Sequence, residues 1–422
     1  MSPIPTIVAA VVGITASILA PDSQPAGNES VISSLAQEIR DNYVFPKIGQ
    51  STADYLLKRS REGAYDGLDD NELGSMLTQD LQAFTNDRHF GVRVIQSSGQ
   101  LAVIRDDDEP ANTTPNGFMR VERLDGNIGY LKLDGFVAVA DARKNTDAAM
   151  QLLSGSSALI FDLRENGGGD PETVQLISSY LFDPDEPVHL NSLYFRPTDE
   201  TTEFWTHSEI DVENAMPDVP VYVLTSSYTF SAAEEFTYNL KCRNRATVIG
   251  ENTGGGAHPV NGFVIDERFQ VRIPVGRAIN PITKDNWEGT GVSPDIEVPA
   301  LKALDVAVGE VLERMTELGD DRAKWGLIHH RARTAPLSLS SDVLAEYAGQ
   351  YIDRELKVEN DELMYRRKGR PNWSRLIAIG DDRFVIDGVN GFMLTFQRND
   401  EGAIRSILGS YEQGHYDHSL RE

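Results

Sequence analysis

Residues 157–182, SALIFDLRENGGGDPETVQLISSYLF, decide the fold. The apolar run SALIFDL reads as a buried strand, the three glycines as a tight turn, and PETVQLISSYLF as a helix. The same alternation continues on both sides. NIGYLKLDGF is a strand and VADARKNTDAAMQLL a helix; further on, VPVYVLTSS from Val219 is a strand, AAEEFTYNLK a helix and RATVIGE a strand. Strands alternating with helices predict a layered, largely parallel sheet, an α/β core over residues 118–325. In AAEEFTYNLK, Ala233, Phe236, Tyr238 and Leu240 are expected near one helical face, with the acids turned outward.

Flanking segments differ in pattern. Residues 30–92 read as an N-terminal helical subdomain: VISSLAQEIRDNYVFP stops at Pro46, DYLLKRSREGAY and DNELGSMLTQDLQAF follow, and NDRHFGVRVIQ turns into a strand. The weak, polar stretch SSGQLAVIRDDDEPANTTPNG separates it from the core. FVIDERFQVRIPVGRAINP reads as a two-stranded excursion, and LKALDVAVGEVLERMTEL as a closing helix. Residues 336–422 alternate in short runs joined by Asn-Asp, Gly-Asp-Asp and Asn-Asp-Glu-Gly turns, which predicts a small antiparallel β domain, sandwich or barrel-like. Tyr351, Tyr365, Trp373, Phe384 and Phe392 are expected in its core.

The totals bound the function. Sixty-five acids against 39 bases give the 422-residue chain a formal charge of −26, which argues against nucleic acid or an anionic membrane as partner. A hydrophobic content of 40% supports ordinary globular cores. A single cysteine, Cys242, excludes an intrachain disulfide and a cysteine-rich zinc site, and reads as a buried structural thiol. The uncharged run from Ile4 to Ala20 reads as a signal peptide over residues 1–26, or else an uncleaved anchor, which places the protein in the periplasm or outside the cell. No integral membrane partner is implied.

Chemistry gathers at four places. Ser231, in TFSAAEEF, falls at a strand-to-helix turn, where a hydroxyl has helix N-terminal amides beside it, as a nucleophile making an oxyanion requires. Those eight residues alone favour a plain N-cap serine. The loop DLRENGGGD, Asp162 to Asp170, lacks the lysine and spacing of a phosphate loop. It suits an oxyanion hole, with the Gly167 or Gly168 amide working beside that of Ala232, or it is a tight turn. Of eight histidines, His89, His189, His207 and His258 fall within reach of the core, although a lone histidine is more often structural. Glu288, in NWEGTGVSPDIEVP, could orient a histidine; taken singly it is a loop acid.

Together TFSAAEEF, DLRENGGGD, RATVIGENTGGGAHP and EGTGVSPDIEV resemble the core motifs of the tail-specific (C-terminal processing) serine peptidases, in the expected order. The resemblance covers about Ser30 to Glu310. The lysine of the Ser–Lys branch is absent, since Gly256 stands at its place and no lysine occurs between Lys241 and Lys284. About 25 residues separate FGVRV from the next strand, too few for the usual PDZ insert. What remains is similar to the tricorn-core and interphotoreceptor-retinoid-binding-protein branch. That resemblance implies a crotonase/ClpP-like layered sheet with a lipocalin-like C-terminal module. It implies Ser231 as nucleophile, His89 of Asp87-Arg88-His89 as base, Glu288 as orienting acid, and Gly167, Gly168 and Ala232 as oxyanion donors. His258 is a substrate contact or an alternative base. Glu234, one turn beyond Ser231, could act locally but reads as a solvated helix acid. The expected function is a serine endopeptidase cleaving peptides or C-terminal regions of polypeptides, with neither metal nor organic cofactor, and a homo-oligomer left open. The alternatives are a non-proteolytic protein binding hydrophobic ligands or peptides, and an esterase using the same residues.

Overall fold

The computed structural model describes residues 27–95 and 114–422, so the leader or anchor read over residues 1–26 lies outside the described residues. Six strands make the central sheet, in the spatial order Ile296–Glu297, Ala246–Gly250, Val221–Thr225, Ala158–Asp162, Ile128–Leu133, Phe118–Leu124. All neighbours run parallel except the last pair. The two middle strands are buried along their whole length, as strands covered on both faces must be. Their side chains alternate between two cores. Leu159, Phe161, Val221 and Val223 pack under the helices Val139–Leu153, Pro171–Ser179 and Ala232–Cys242. Ala158, Ile160, Tyr222 and Leu224 pack on Ala300–Glu317 and Asp321–Thr334.

Helix Asp321–Thr334 was not legible beforehand. Asp320 caps it through the Arg322 and Ala323 amides, but its buried positions include Gly326 and His330, so it carries no continuous apolar stripe. The excursion after His258 holds three strands rather than two. Val260–Val264 and Phe269–Pro274 join Gly91–Val94, whereas Gly276–Ile279 pairs with the hairpin His189–Phe195/Glu200–Trp205. The N-terminal helices Asn28–Asn42, Pro46–Arg61 and Asp70–Thr85 share one core with Phe269, Val271, Ile273 and Val275. That shared core brings the Asp87–His89 turn against the main body.

Residues 349–420 form eight antiparallel strands in chain order. A bridge between Tyr351 and Arg421, with Ile352 N donating to Leu420 O, joins the last strand to the first and closes the sheet. The expectation of strands throughout 336–422 is corrected at Ser341–Tyr347, a helix capped by Ser340 that seats Leu344 and Tyr347 in the barrel core. Tyr351, Tyr365, Phe384 and Phe392 occupy that core; Trp373 does not, and lies between Lys357 and Arg366.

The glycine loop is pinned to Phe136, just past the end of strand Ile128–Leu133. Phe136 N donates to Gly168 O at 2.8 Å and Asp170 N to Phe136 O at 2.6 Å. Gly169 has φ +132°, and a Cβ there would stand 2.0 Å from Phe136 O. Gly169→Ala is therefore expected to lower the unfolding free energy by ~3 kcal/mol or more. Gly155→Ala, at φ +76° in open space, should cost only about 1 kcal/mol. Urea denaturation of the two variants measures the difference.

Candidate active site

Ser231 sits where the chain leaves strand Val221–Thr225 and enters helix Ala232–Cys242, with φ 52° and ψ −120°. A β-carbon there is strained and has to be held. Thr229 Oγ1 donates to Leu163 O at 2.8 Å and Phe230 N to Asn166 O at 3.1 Å, which tie the turn to the loop that precedes the glycines. That loop is fixed in turn by Asp162, which accepts two bonds from the Arg164 guanidinium, at 2.8 and 2.6 Å, and one from Tyr130 at 2.6 Å. Gly168 touches the serine so closely that a Cβ on it would lie 2.7 Å from Ser231 Cβ.

Glu234 completes the hold. Its Oε2 accepts Ser231 N at 3.0 Å and Gly256 N at 2.8 Å; its Oε1 accepts Gly255 N at 2.7 Å and the Thr253 hydroxyl at 2.5 Å. The reading of a solvated helix acid is corrected, because Glu234 is 0% exposed. Burial pushes its pKa up to about 7 against the pull of those four donors. Glu235, also expected to face outward, is buried too. The helix turns both acids inward because the segment 253–256 and strand His189–Phe195 cover that side. The Ser-x-x-Glu spacing of a capping box was the available signal for Glu234. Cys242, at the far end of this helix, is half-buried rather than buried.

Ser231 opens onto a cavity of about 240 Å³ that is also lined by Gly167, Gly168, Ala232, His89 and His258. The amides of Gly167 and Ala232 have no hydrogen-bond partner among the described residues. That of Gly168 is bonded to Asn166 Oδ1 at 2.9 Å. Two of the three expected oxyanion donors are thus open in this conformation, and Gly168 serves the loop.

Of the four candidate histidines, two are brought to the serine. His89 holds its ring 4.7 Å from that of Phe230 at a tilt of 42°, and only a glycine at 256 leaves room for it: a Cβ there would strike His89 Cε1 at 2.5 Å. His258 enters from the other side. His189 is stacked on Trp205, and neither it nor His207 lines the cavity.

Two carboxylates stand behind the histidine pair. Asp87 Oδ2 accepts from His258 Nδ1 at 2.7 Å, and its Oδ1 accepts the His89 amide at 3.1 Å. Tyr43 OH donates to Oδ2 at 3.3 Å. Glu288 Oε2 accepts Ala257 N at 2.6 Å and lies 3.4 Å from His258 Nδ1 and 3.9 Å from His89 Nδ1. His89 Nδ1 is also 3.9 Å from Asp87 Oδ1. Burial disfavours the His258 cation, but the bond and charge of Asp87 and the charge of Glu288 outweigh it and raise its pKa. Burial, followed by the Asp87 charge, pushes the Glu288 pKa up. Asp87, His89 and Glu288 place ligand atoms within 4.8 Å of one another, close enough for one cation. Asp87 and Glu288 each already accept shorter bonds, from His258 and from the Ala257 amide. Asp87 and Tyr43 were missed as site residues; Asp87 stood in the D-x-H motif without a role of its own.

Residues 127–298 match the sequence model of peptidase family S41, and residues 26–125 that of the N-terminal domain of peptidase S41 in eukaryotic IRBP. The chain is 27% identical over 203 residues to the chloroplastic carboxyl-terminal-processing peptidase 1 of Arabidopsis thaliana, covering 47% of this chain and 38% of that one. It is 30% identical over 176 residues to peptidase 2 of the same plant, covering 41% and 32%. The chain thus spans about a third of the length of the curated relatives it matches. A Parabacteroides merdae protein described as a peptidase superposes with a TM-score of 0.52 at 21% identity, over 68% of this chain and 97% of that one, a likeness of fold.

The buried acids give stability a definite pH dependence. Glu234 at about 7 and Glu235 at about 8 bind protons more tightly folded than at their ordinary value of 4.5, and Glu288 and His258 shift the same way. Stability from these groups is fully present below about pH 4.5 and is lost as pH rises towards 8. The thermal midpoint is expected to fall by roughly 5 °C or more between pH 5.5 and 8.5. Glu288→Gln, which changes the net charge by one, should flatten that fall. A midpoint that rises over this range would contradict the burial of these carboxyls.

Proposed function

The chain belongs to peptidase family S41, and from that membership and the site geometry we propose that it is a serine peptidase acting on peptides or the C-terminal regions of polypeptides. The observation that carries this reading is the meeting of Ser231 with two histidines in one cavity, backed by Asp87 and Glu288. Ser231 Oγ attacks the peptide carbonyl while His89 takes its proton. The Gly167 and Ala232 amides receive the oxyanion, each such donor lowering the barrier by roughly 3–4 kcal/mol. His89 then protonates the leaving amine, and a water, deprotonated by the same imidazole, releases the acyl group. Glu288, with Asp87, supports the His89 cation formed on the way. The Asp87-bound His258 orients that pair of carboxylates and faces the substrate. No step calls on a cofactor. The apolar leader read over residues 1–26 supports a site of action outside the cytoplasm, periplasmic or secreted.

A fluorophosphonate probe tests the assignment directly. Wild type is expected to label at Ser231 and Ser231→Ala not at all. In His89→Ala the labelling rate should fall by about 100-fold or more, whereas His258→Ala should retain more of it. Labelling that survives His89→Ala and is lost in His258→Ala would move the base to His258. Folded wild type that never labels would remove the peptidase reading.

A further inference from the structure

One buried acid in the cavity has no part in the chemistry above. Glu235 lies four residues beyond Ser231, so the helix carries it about 6 Å further along its axis, one turn from the nucleophile and on the same side. It lines the same cavity, is 6% exposed, and is otherwise framed there by apolar groups: Leu193, Ala278 and Trp287. No cationic side chain is among the groups that act on it. Burial pushes its pKa up to about 8, the Asn191 carboxamide alone pulls it back, and Asp170 adds a like charge.

Asn191 is a second sign. It is 1% exposed, and its carboxamide interacts with the Glu235 carboxyl, but too loosely to satisfy both of its polar atoms. It stands on the strand His189–Phe195, where alternation puts Asn191 on the same face as the cavity-lining Leu193 and Phe195. Buried polar groups are normally satisfied. Here an acid lines the pocket beside the nucleophile, backed by the Asn191 carboxamide, with the apolar Leu193, Ala278 and Trp287 among the other walls. A lone acid in such a place is costly unless something cationic meets it.

We propose that Glu235, backed by Asn191, forms the floor of the subsite for the side chain preceding the scissile bond, and that this subsite selects a basic residue, lysine or arginine. The apolar walls take the methylene stem, the carboxylate takes the charged head, and Asn191 steadies the carboxylate from behind. The overall charge of −26 draws cationic segments to the site. This rests on the peptidase reading.

Three peptidyl diphenyl phosphonates that differ only in the residue carrying the phosphonate (lysine, leucine or glutamate) separate the two claims. Wild type should be modified at Ser231 by the lysine probe at least about 30-fold faster than by the leucine probe, the worth of a buried charge pair. In Glu235→Gln that ratio should fall towards one, and in Glu235→Lys the glutamate probe should overtake the lysine probe. Wild type that reacts at Ser231 as fast with leucine as with lysine overturns the subsite while leaving the peptidase reading intact. So does a Glu235→Gln that keeps the lysine preference. No reaction of Ser231 with any of the three removes both.

Discussion

The carboxylate of Glu234 is the interaction on which the site depends. Four donors converge on it from two segments: Ser231 N from the strand-to-helix turn, and Gly255 N, Gly256 N and the Thr253 hydroxyl from the loop that leads to His258. A buried carboxylate is expensive, and charge-assisted bonds to both oxygens are what offset it. The consequence is mechanical. The strained turn at Ser231 and the glycine segment that makes room for His89 cannot move independently, since one side chain holds both. A capping interaction that in another helix would only tidy an end here sets the spacing between Ser231 and His89.

A second constraint lies behind the histidines. Asp87 and Glu288 come from opposite ends of the core, one from the turn after helix Asp70–Thr85 and one from a loop late in the chain. Each would repel the other in a buried site. Placing His258 between them, 2.7 Å from Asp87 and 3.4 Å from Glu288, lets the pair persist and leaves His89 with carboxylates at 3.9 Å on its Nδ1 side. The N-terminal helices matter for this reason. Their shared core with Phe269–Pro274 brings the Asp87–His89 turn up to the sheet that bears Ser231.

Much of this was written in local patterns. The strand–glycine–helix units were legible because buried parallel strands are short, continuous apolar runs, and Ser231, Gly167 and Ala232 fall at their ends. His89 and His258 were legible as candidates because few histidines lie near the core. Other features depend on tertiary neighbours. Glu234 and Glu235 look like solvated acids until the segment 253–256 and strand His189–Phe195 cover their face. The hairpin His189–Phe195/Glu200–Trp205 is polar on its outer strand, Glu200–Trp205, and gave no clear period. Helix Asp321–Thr334 was hidden by its glycine and histidine pair, and helix Ser341–Tyr347 is too short to show a period. The bond from Gly168 N to Asn166 Oδ1 is a local turn detail that no spacing reveals.

The most direct test of the account is to trap the acyl-enzyme. An activated peptide ester mixed with the protein and quenched in acid within its first turnover should leave a peptidyl adduct, which mass spectrometry of the digested chain would place on Ser231. The account predicts that adduct in wild type and its absence in Ser231→Ala, together with the loss of ester turnover. Turnover that continues in Ser231→Ala, or an adduct carried by another residue, would contradict the account at its centre.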